Sequence, residues 1–427
     1  MIMIRTIFSL VIWMFTLTIV AQSYEKNLAP KTLDVNYKAS PRPDRIILTW
    51  SKNDLSTQTV TWRTDTTVTD IEAEIAKVTP DVDFYKNETD YDATSTTFTA
   101  IDETVQYHTT TFKNLEPDTY YAYRLKADDY SSEWVQFKTA PKTTDKPFSF
   151  IYLGDAQNDL FSLWSRVIRL AYKRAPDAKF MLHAGDMINH SQNNYEWGEW
   201  FEAGSFIFKE MPQLTIPGNH EYIKNDEGHK TGITPIYNPQ FNFPKNGLAE
   251  IGHTNYYMDY LNMRLISLNS NQDLDLQKTW LEDVLKNNTK KWVVVMTHHP
   301  VRSPAKGRFN KGVIENWKPL FEKYKVDLVL QGHDHTYGRG NKVNLGYDEK
   351  NDYSGTMYVV SVSGRKMYEL GNEPWMEAKA ENQQSYQIIT IDDSILTYKA
   401  YTTDDTLFDG FTLTKRKNKD NKVKEIK

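Results

Sequence analysis

The stretch Val329–Arg339, VLQGHDHTYGR, begins as a buried strand does, with an apolar run, and then breaks into Gly-His-Asp-His. A core strand has no use for two imidazoles around a carboxylate, so His333 and His335 must be presented to something beyond the strand end. Four other apolar runs finish in the same manner. FSFIYLGD stops at Asp155, AKFMLHAGD at Asp186, QLTIPGNH at Asn219 and His220, and KWVVVMTHH at His298 and His299. Glycine stands just before the polar group at Gly154, Gly185, Gly218 and Gly332, where it permits a sharp turn and leaves room above a sheet. One Asp or Asn after a strand is ordinarily a helix N-cap. Five such endings in one chain instead predict a shared crevice, because ligands of α/β sheets bind beyond the carboxyl ends of the strands.

Helical periodicity fills the gaps between these runs. It appears in LFSLWSRVIRLAYKRA (160–175), YEWGEWFEAGSFIFKEM (195–211), LQKTWLEDVLKNN (276–288) and IENWKPLFEKYK (314–325), giving an α/β order from about residue 148 to 414. The later β-rich stretches GTMYVVSVSG and YQIITIDDSILTYKAYT are expected to form a second sheet closing that domain, and the basic tail 415–427 to be a solvated end. Upstream, 41–141 alternates apolar and polar residues in short runs with turn clusters such as EPDT, which predicts an all-β sandwich. APKTTDKP (140–147) reads as the linker. At the N-terminus, Arg5, the apolar run Ile7–Val20 and Ala21-Gln22-Ser23 have the form of a secretory signal peptide over 1–23, followed by an extension over 24–40. The apolar run is short for a spanning helix. The expectation is therefore a secreted protein, periplasmic or extracellular, with no stable membrane span after cleavage.

Composition narrows the chemistry. Of 427 residues, 39% are hydrophobic and 25% charged, with a formal net charge of -5, so no basic nucleic-acid-binding surface is evident. There is no cysteine, which excludes disulfides and thiolate metal sites. Metals held by His, Asp and Asn are then iron, zinc or manganese. The cluster has too many ligands for one tetrahedral ion. A carboxylate bridging two ions about 3.5–4 Å apart fits better, and such a pair clamps a phosphoester.

The ordered set Gly-Asp, Gly-Asp, Gly-Asn-His-Glu, Val-x-x-His and Gly-His-x-His resembles the calcineurin-like metallophosphoesterase superfamily, and within it the purple acid phosphatases. VDLVLQGHDHTYGR and LEPDTYYAYRLKADDYSSEWVQFKTAP carry the same resemblance, which covers about Pro41 to Thr414. It implies a fibronectin type III-like N-terminal sandwich and a two-sheet catalytic domain flanked by helices. It implies that Asp186 bridges two transition metals, with Asp155 and His335 on the first and Asn219, His298 and His333 on the second. His220 would touch the phosphate and act as general acid against metal-hydroxide attack on a small phosphorylated substrate. Asp334 would face away, either supporting the ligands or solvated.

Three positions depart from the resemblance. The metal-binding Tyr of purple acid phosphatases, three residues after the bridging Asp, is Asn189 here. Without a phenolate, the expectation is an uncoloured site with a divalent or weakly held first metal and a pH optimum nearer neutral; Tyr195 is the one nearby replacement. Gln157 stands where many metallophosphoesterases place a metal-binding His and where purple acid phosphatases have Gly. It is a candidate for holding metal or water, or else a turn residue. Arg302, Lys306 and Arg308, after His298, are substrate-contact candidates, each weighed against a solvated basic loop. His190 could face substrate, and His299 is expected to point away. His183, His108, His229 and His253 read as structural, and Tyr337 and Arg339 as packing. The leading reading is a phosphomonoesterase. The alternatives are a phosphodiesterase or nucleotidase on the same scaffold, or a surface-binding protein with a degenerate site.

Overall fold

The computed structural model of the chain describes residues 37–100, 103–342, 353–417 and 419–426. The signal-peptide stretch and most of the N-terminal extension lie outside the described residues.

The N-terminal region is a sandwich of two antiparallel sheets. One holds Asp44–Thr49, Gln58–Asp65, Glu103–Phe112 and Thr94–Ala100; the other is built on Ile71–Lys77 and Tyr120–Ala127. Alternation sends Val60 and Trp62 into the core with Phe112, Tyr123 and Phe137. The opposite face of Gln58–Asp65 is buried as well. There Thr61 and Thr109 accept from Asn242 Nδ2 at 2.9 and 3.1 Å, which seats the sandwich on the second domain.

In the second domain we number β1 (Phe148–Leu153), α1 (Ser165–Arg174), β2 (Met181–His183), α2 (Asn194–Gly204), β3 (Gln213–Thr215), β4 (Met263–Leu268), α3 (Leu274–Lys286), β5 (Trp292–Thr297), α4 (Lys311–Lys323), β6 (Leu328–Gln331), β7 (Tyr353–Val360), β8 (Ser385–Asp392), β9 (Ile395–Thr402), β10 (Leu407–Arg416) and β11 (Lys419–Glu425). One seven-stranded sheet runs β3-β2-β1-β8-β9-β10-β11, and a second has β4-β5-β6-β7 at its centre. Strands β1 to β3 are parallel, as are β4 to β7. Both parallel sets are buried on both faces, which explains their continuous apolar sequences. The facing sides of the sheets interleave Ile151, Leu153, Met296, Leu328, Leu330 and Ile389, while α3 and α4 cover the outer face of the second sheet through Leu281, Trp317 and Phe321.

Three expectations are corrected. The late β segments do not make a sheet of their own: β7 joins the second sheet beside β6, and β8 to β11 extend the first beside β1. The supposed solvated tail is largely β11, paired antiparallel to β10 over Phe411–Arg416. An edge strand is held by main-chain hydrogen bonds, and its lysines keep the free edge from pairing further. The helix over 195–211 is broken at Ser205, whose φ of 45° ends α2 before a short helix Phe206–Glu210.

Candidate metal centre

The carboxyl ends of β1, β2 and β3 meet those of β5 and β6. Two loops approach closely enough to demand glycine. A Cβ on Gly218 would lie 2.1 Å from Asp186 Oδ1, and one on Gly332 would lie 2.1 Å from Asp155 Oδ1. Asp186, His333 and His335 are themselves held at φ of 50°, 75° and 47°. For side chains other than Gly such angles cost about 1–3 kcal/mol each and persist where the surroundings over-determine them.

Two ligand groups result, with the donor atoms in each within 4.8 Å of one another. One is Asp155, Asp186 and His335; the other is Asp186, His298 and His333. Asp186 belongs to both. Asn219 joins the second group, its Oδ1 3.2 Å from His298 Nε2. His333 and His335 thus face different groups.

The imidazoles are oriented from behind. His298 donates from Nδ1 to the Ala184 carbonyl at 2.8 Å, and His335 from Nδ1 to the Lys366 carbonyl at 3.0 Å. His335 Nε2 is thereby left as a lone-pair donor turned into the cluster, the arrangement metal-binding histidines use. Burial lowers His298, but Asp186 and Asp155 outweigh it and raise the imidazole to about 9, so its Nε2, 3.3 Å from Asp186 Oδ1, gives up a proton when an ion binds. Burial pushes His333 and His335 well below the usual imidazole range, so both are neutral, as ligation requires. Asp155 Oδ2 is buried with no hydrogen-bond partner. Burial raises that carboxyl to about 7, aided by Asp186 and opposed by His298. A buried, orphaned carboxylate oxygen 3.3 Å from a neutral imidazole nitrogen is a place for a cation. Burial also acts to raise Asp186, but His298 and His220 outweigh it and hold the carboxyl well below its ordinary value. The donor set therefore fits two ions of the iron, zinc or manganese type.

The departures resolve as follows. Gln157 is wholly buried and is not a free turn residue: its Nε2 lies 2.8 Å from Asp186 Oδ2 and 3.2 Å from His335 Nε2. Its amide N–H groups stand where a cation between those acceptors would sit, so the residue borders the first group and would become a ligand only by turning Oε1 inward from Lys366. The Asn189 side chain turns to the His190 ring, 3.2 Å from Nε2, while its carbonyl accepts from His220 Nδ1 at 2.6 Å. Tyr195 packs edge-on against Tyr37, with ring centroids 5.2 Å apart, and does not replace the phenolate.

Among the substrate candidates, Lys306 pairs with Glu369 at an exposed position. Arg302 is within electrostatic reach of Tyr358, a buried residue of the core beneath α3 and α4. Arg308 is committed to the ligands. Its Nε donates to Asp334 Oδ1 at 2.7 Å, Nη2 touches His333 Nε2, and the guanidinium lies 5.0 Å over Tyr368. Asp334 is accordingly buried rather than solvated. His299 does not point away: its ring centroid lies 4.1 Å from that of His333, and Ser270 Oγ lies 2.7 Å from its Nδ1. His190 borders a cavity of about 500 Å³ shared with His220, Tyr222 and Lys224. His183 and His108 are buried structural residues, held by Gln213 and by Thr64 and Ser95 respectively. Tyr337 and Arg339 bind Asp409 of β10 and so fasten the two sheets together.

Sequence reasoning missed three contributors. Glu221, fully buried, accepts from the backbone N–H groups of Asp186, Met187 and Gly218 at 2.9, 2.8 and 2.6 Å, tying the Asp186 loop to the His220 loop. Its only signal was its place in Gly-Asn-His-Glu. Lys366 lies 3.4 Å from Gln157 Oε1 and adds positive charge near His220. Tyr368 stacks edge-on against His335 at 4.7 Å.

Comparison with known proteins gives the same architecture. A protein of Mycobacterium tuberculosis is 28% identical over 278 residues, covering 56% of this chain and 51% of the relative. The Fe(3+)-Zn(2+) purple acid phosphatase 12 of Arabidopsis thaliana is 27% identical over 304 residues, covering 64% of this chain and 62% of the relative. The chain thus spans about half to three-fifths the length of these curated relatives. The purple acid phosphatase PPD1 from yellow lupin seeds superposes with a TM-score of 0.74 over 87% of this chain and 74% of its own, at 20% identity. Residues 43–139 match the purple acid phosphatase N-terminal domain and residues 148–337 the calcineurin-like phosphoesterase family, so the chain carries a calcineurin-like phosphoesterase domain preceded by a purple acid phosphatase N-terminal domain.

Proposed function

We propose that this protein is an exported phosphomonoesterase that hydrolyses small phosphate esters at a two-metal site whose ligand groups share Asp186. The observation that carries the reading is the sharing of Asp186 between two ligand groups, beside the orphaned Asp155 Oδ2. Asp155, Asp186, His335 and Gln157 would hold one ion, and Asp186, Asn219, His298 and His333 the other. Two such ions, when bound, supply Lewis acidity toward phosphoryl oxygens and acidify water.

The chain's own groups do the rest. The Asn189 carbonyl fixes the proton on His220 Nδ1 and turns Nε2 toward the shared Asp186 carboxylate, 3.9 Å from its Oδ2. Burial lowers the imidazole, with Asp186 opposing and Lys366 and Lys224 adding to the fall, so the second proton on Nε2 depends on the charge of a bound phosphoryl group; carried there, it is aimed at the leaving oxygen, which makes His220 the general acid. Lys224 and Lys366 place positive charge around His220, favouring an anionic phosphoryl group. The cavity beside His220 takes the leaving group. With Asn189 supplying no phenolate, the site is read as uncoloured, with divalent ions and a pH optimum nearer neutral than acid. Export rests on the pattern of residues 1–23. Among the described residues no helix is long and apolar enough to cross a membrane.

The test is hydrolysis of p-nitrophenyl phosphate against bis-p-nitrophenyl phosphate by protein loaded with iron, zinc or manganese. Monoester preference, with kcat reduced roughly 10²–10⁴-fold by His220→Ala, is expected. Diester preference would move the reading to a phosphodiesterase or nucleotidase. Hydrolysis of neither would remove it.

A further inference from the structure

The N-terminal sandwich reaches the site through hydrogen bonds made on either side of the first turn of α2. Arg45, on the first strand, donates from Nη2 to the Asn194 carbonyl at 3.0 Å, and Arg63, on the second, from Nη1 to Asn194 Oδ1 at 3.3 Å. Asn194 Nδ2 in turn donates to Glu103 Oε1 at 3.1 Å. These three sandwich residues therefore grip the first residue of α2. That helix start is also capped by Asn193, whose side chain accepts from the N–H groups of Tyr195 and Glu196.

Two residues on, in the same first turn, Glu196 points back from α2 toward the site. Its carboxylate is buried. Oε2 accepts from the backbone N–H of Asn189 at 2.8 Å and of His190 at 2.7 Å, and Oε1 meets His190 Nδ1 at 2.6 Å. The same Asn189 then receives His220 Nδ1–H on its carbonyl at 2.6 Å. One peptide segment is thus fixed by Glu196 through its N–H groups and fixes His220 through its carbonyl.

We propose that Glu196 is a positioning residue for His220, and that the sandwich serves the reaction by anchoring the helix that carries Glu196. This rests on the phosphoesterase reading, and specifically on proton delivery by His220. Glu196 touches none of the metal-ligand side chains described above. Removing it frees the Asn189 carbonyl and lets the imidazole swing, while the two ligand groups keep their own supports on Ala184, Lys366 and Glu221. The loss falls on the step that needs a proton on the leaving oxygen. An alkyl phosphate, whose alkoxide is a poor leaving group, needs that proton; 2,4-dinitrophenyl phosphate, whose phenolate leaves unaided, scarcely does.

The experiment compares kcat for these two substrates in the metal-loaded full chain and in Glu196→Ala, Glu196→Asp, Glu196→Gln and His220→Ala. Glu196→Ala should lower kcat on the alkyl ester by roughly 10–100-fold and on the dinitrophenyl ester by less than about 3-fold, with metal content unchanged, because small misplacements of a catalytic group carry penalties of that size. Glu196→Asp keeps the charge and the helix but draws the carboxylate back one methylene, and should show the same split in smaller degree. It is the readout should the alanine variant not fold. Glu196→Gln retains an oxygen for both N–H groups and presents an amide to His190, so it should restore the wild-type ratio. A parallel fall on both substrates in Glu196→Ala and Glu196→Asp, or no fall in either, would overturn the proposal while His220→Ala still shows the split. If His220→Ala shows no split, or the wild type hydrolyses neither ester, the phosphoesterase reading itself fails and takes this inference with it.

Discussion

Glu221→Gln probes how the two halves of the centre are held together. The Glu221 side chain has no exposure and faces three backbone donors, two on Oε2 and one on Oε1. Burial, with Asp186 nearby, pushes its carboxyl up to about 8, against the pull of the Gly218 and Asp186 amides. All three partners are donors and favour the ionised form, and cations at the ligand groups would offset the Asp186 charge and favour it further. Glutamine keeps the shape but only one acceptor. In its better orientation the amide oxygen retains the Asp186 and Gly218 N–H groups, and the amide nitrogen meets the Met187 N–H donor to donor. A buried donor left without a partner costs about 1–3 kcal/mol, and two remaining bonds fall from charge-assisted to neutral, so the sum is about 3 kcal/mol. Since about 1.4 kcal/mol is a tenfold change, metal affinity should fall about 100-fold, at the upper end of what loss of a supporting residue does to a metal site. The assay is metal affinity by chelator competition, with circular dichroism to verify the fold. Wild-type affinity in Glu221→Gln would refute the argument, since it would mean that a neutral acid, for which glutamine is an innocent substitute, sits there.

Other outcomes follow from single residues. Gln157→Ala should weaken the ion held by Asp155 and His335 by about tenfold and leave the other unchanged, measured by the same competition. Iron-loaded protein should lack a visible charge-transfer band and hydrolyse best near neutral pH, because Asn189 offers no phenolate; a purple protein with a sharp acid optimum would contradict this. Arg308→Met should disturb retention of the second ion before it raises KM, since the guanidinium is spent on Asp334 and His333 rather than facing free solvent. His108 is held by burial at a pKa of about 4, below the value near 6.5 of an unfolded chain. Its folded form binds fewer protons, so stability is full above pH 6.5 and falls as pH drops toward 4, by roughly 3 kcal/mol. His108→Gln should flatten that acid limb for the sandwich in urea titrations at pH 7.5 and 5.0.

How far the site could be read from the sequence depended on whether its residues sit at strand ends. Asp155, Asp186, Asn219, His298, His333 and His335 each close an apolar run, and a strand that stops in a metal-capable side chain advertises itself. Glu221, Lys366 and Tyr368 act from loops through contacts distant in sequence, and no periodicity marks them. His299 follows a ligand in sequence and Arg308 lies in the loop after it, but nothing local says that His299 stacks on His333 or that Arg308 braces Asp334. Residues 419–425, KDNKVKE, contain a single apolar side chain and read as solvated; they are ordered as an edge strand by main-chain pairing, to which the side-chain pattern contributes little. The break at Ser205 depends on a left-handed φ that a serine does not announce.

The central claim, two ions sharing Asp186, is tested most directly by elemental analysis of the purified protein and three variants. The account predicts about two transition metals per chain in the wild type, about one in His335→Ala and in His298→Ala, and close to none in Asp186→Ala. A wild type that binds no metal even after reconstitution, or an Asp186→Ala variant that keeps both ions, would contradict it.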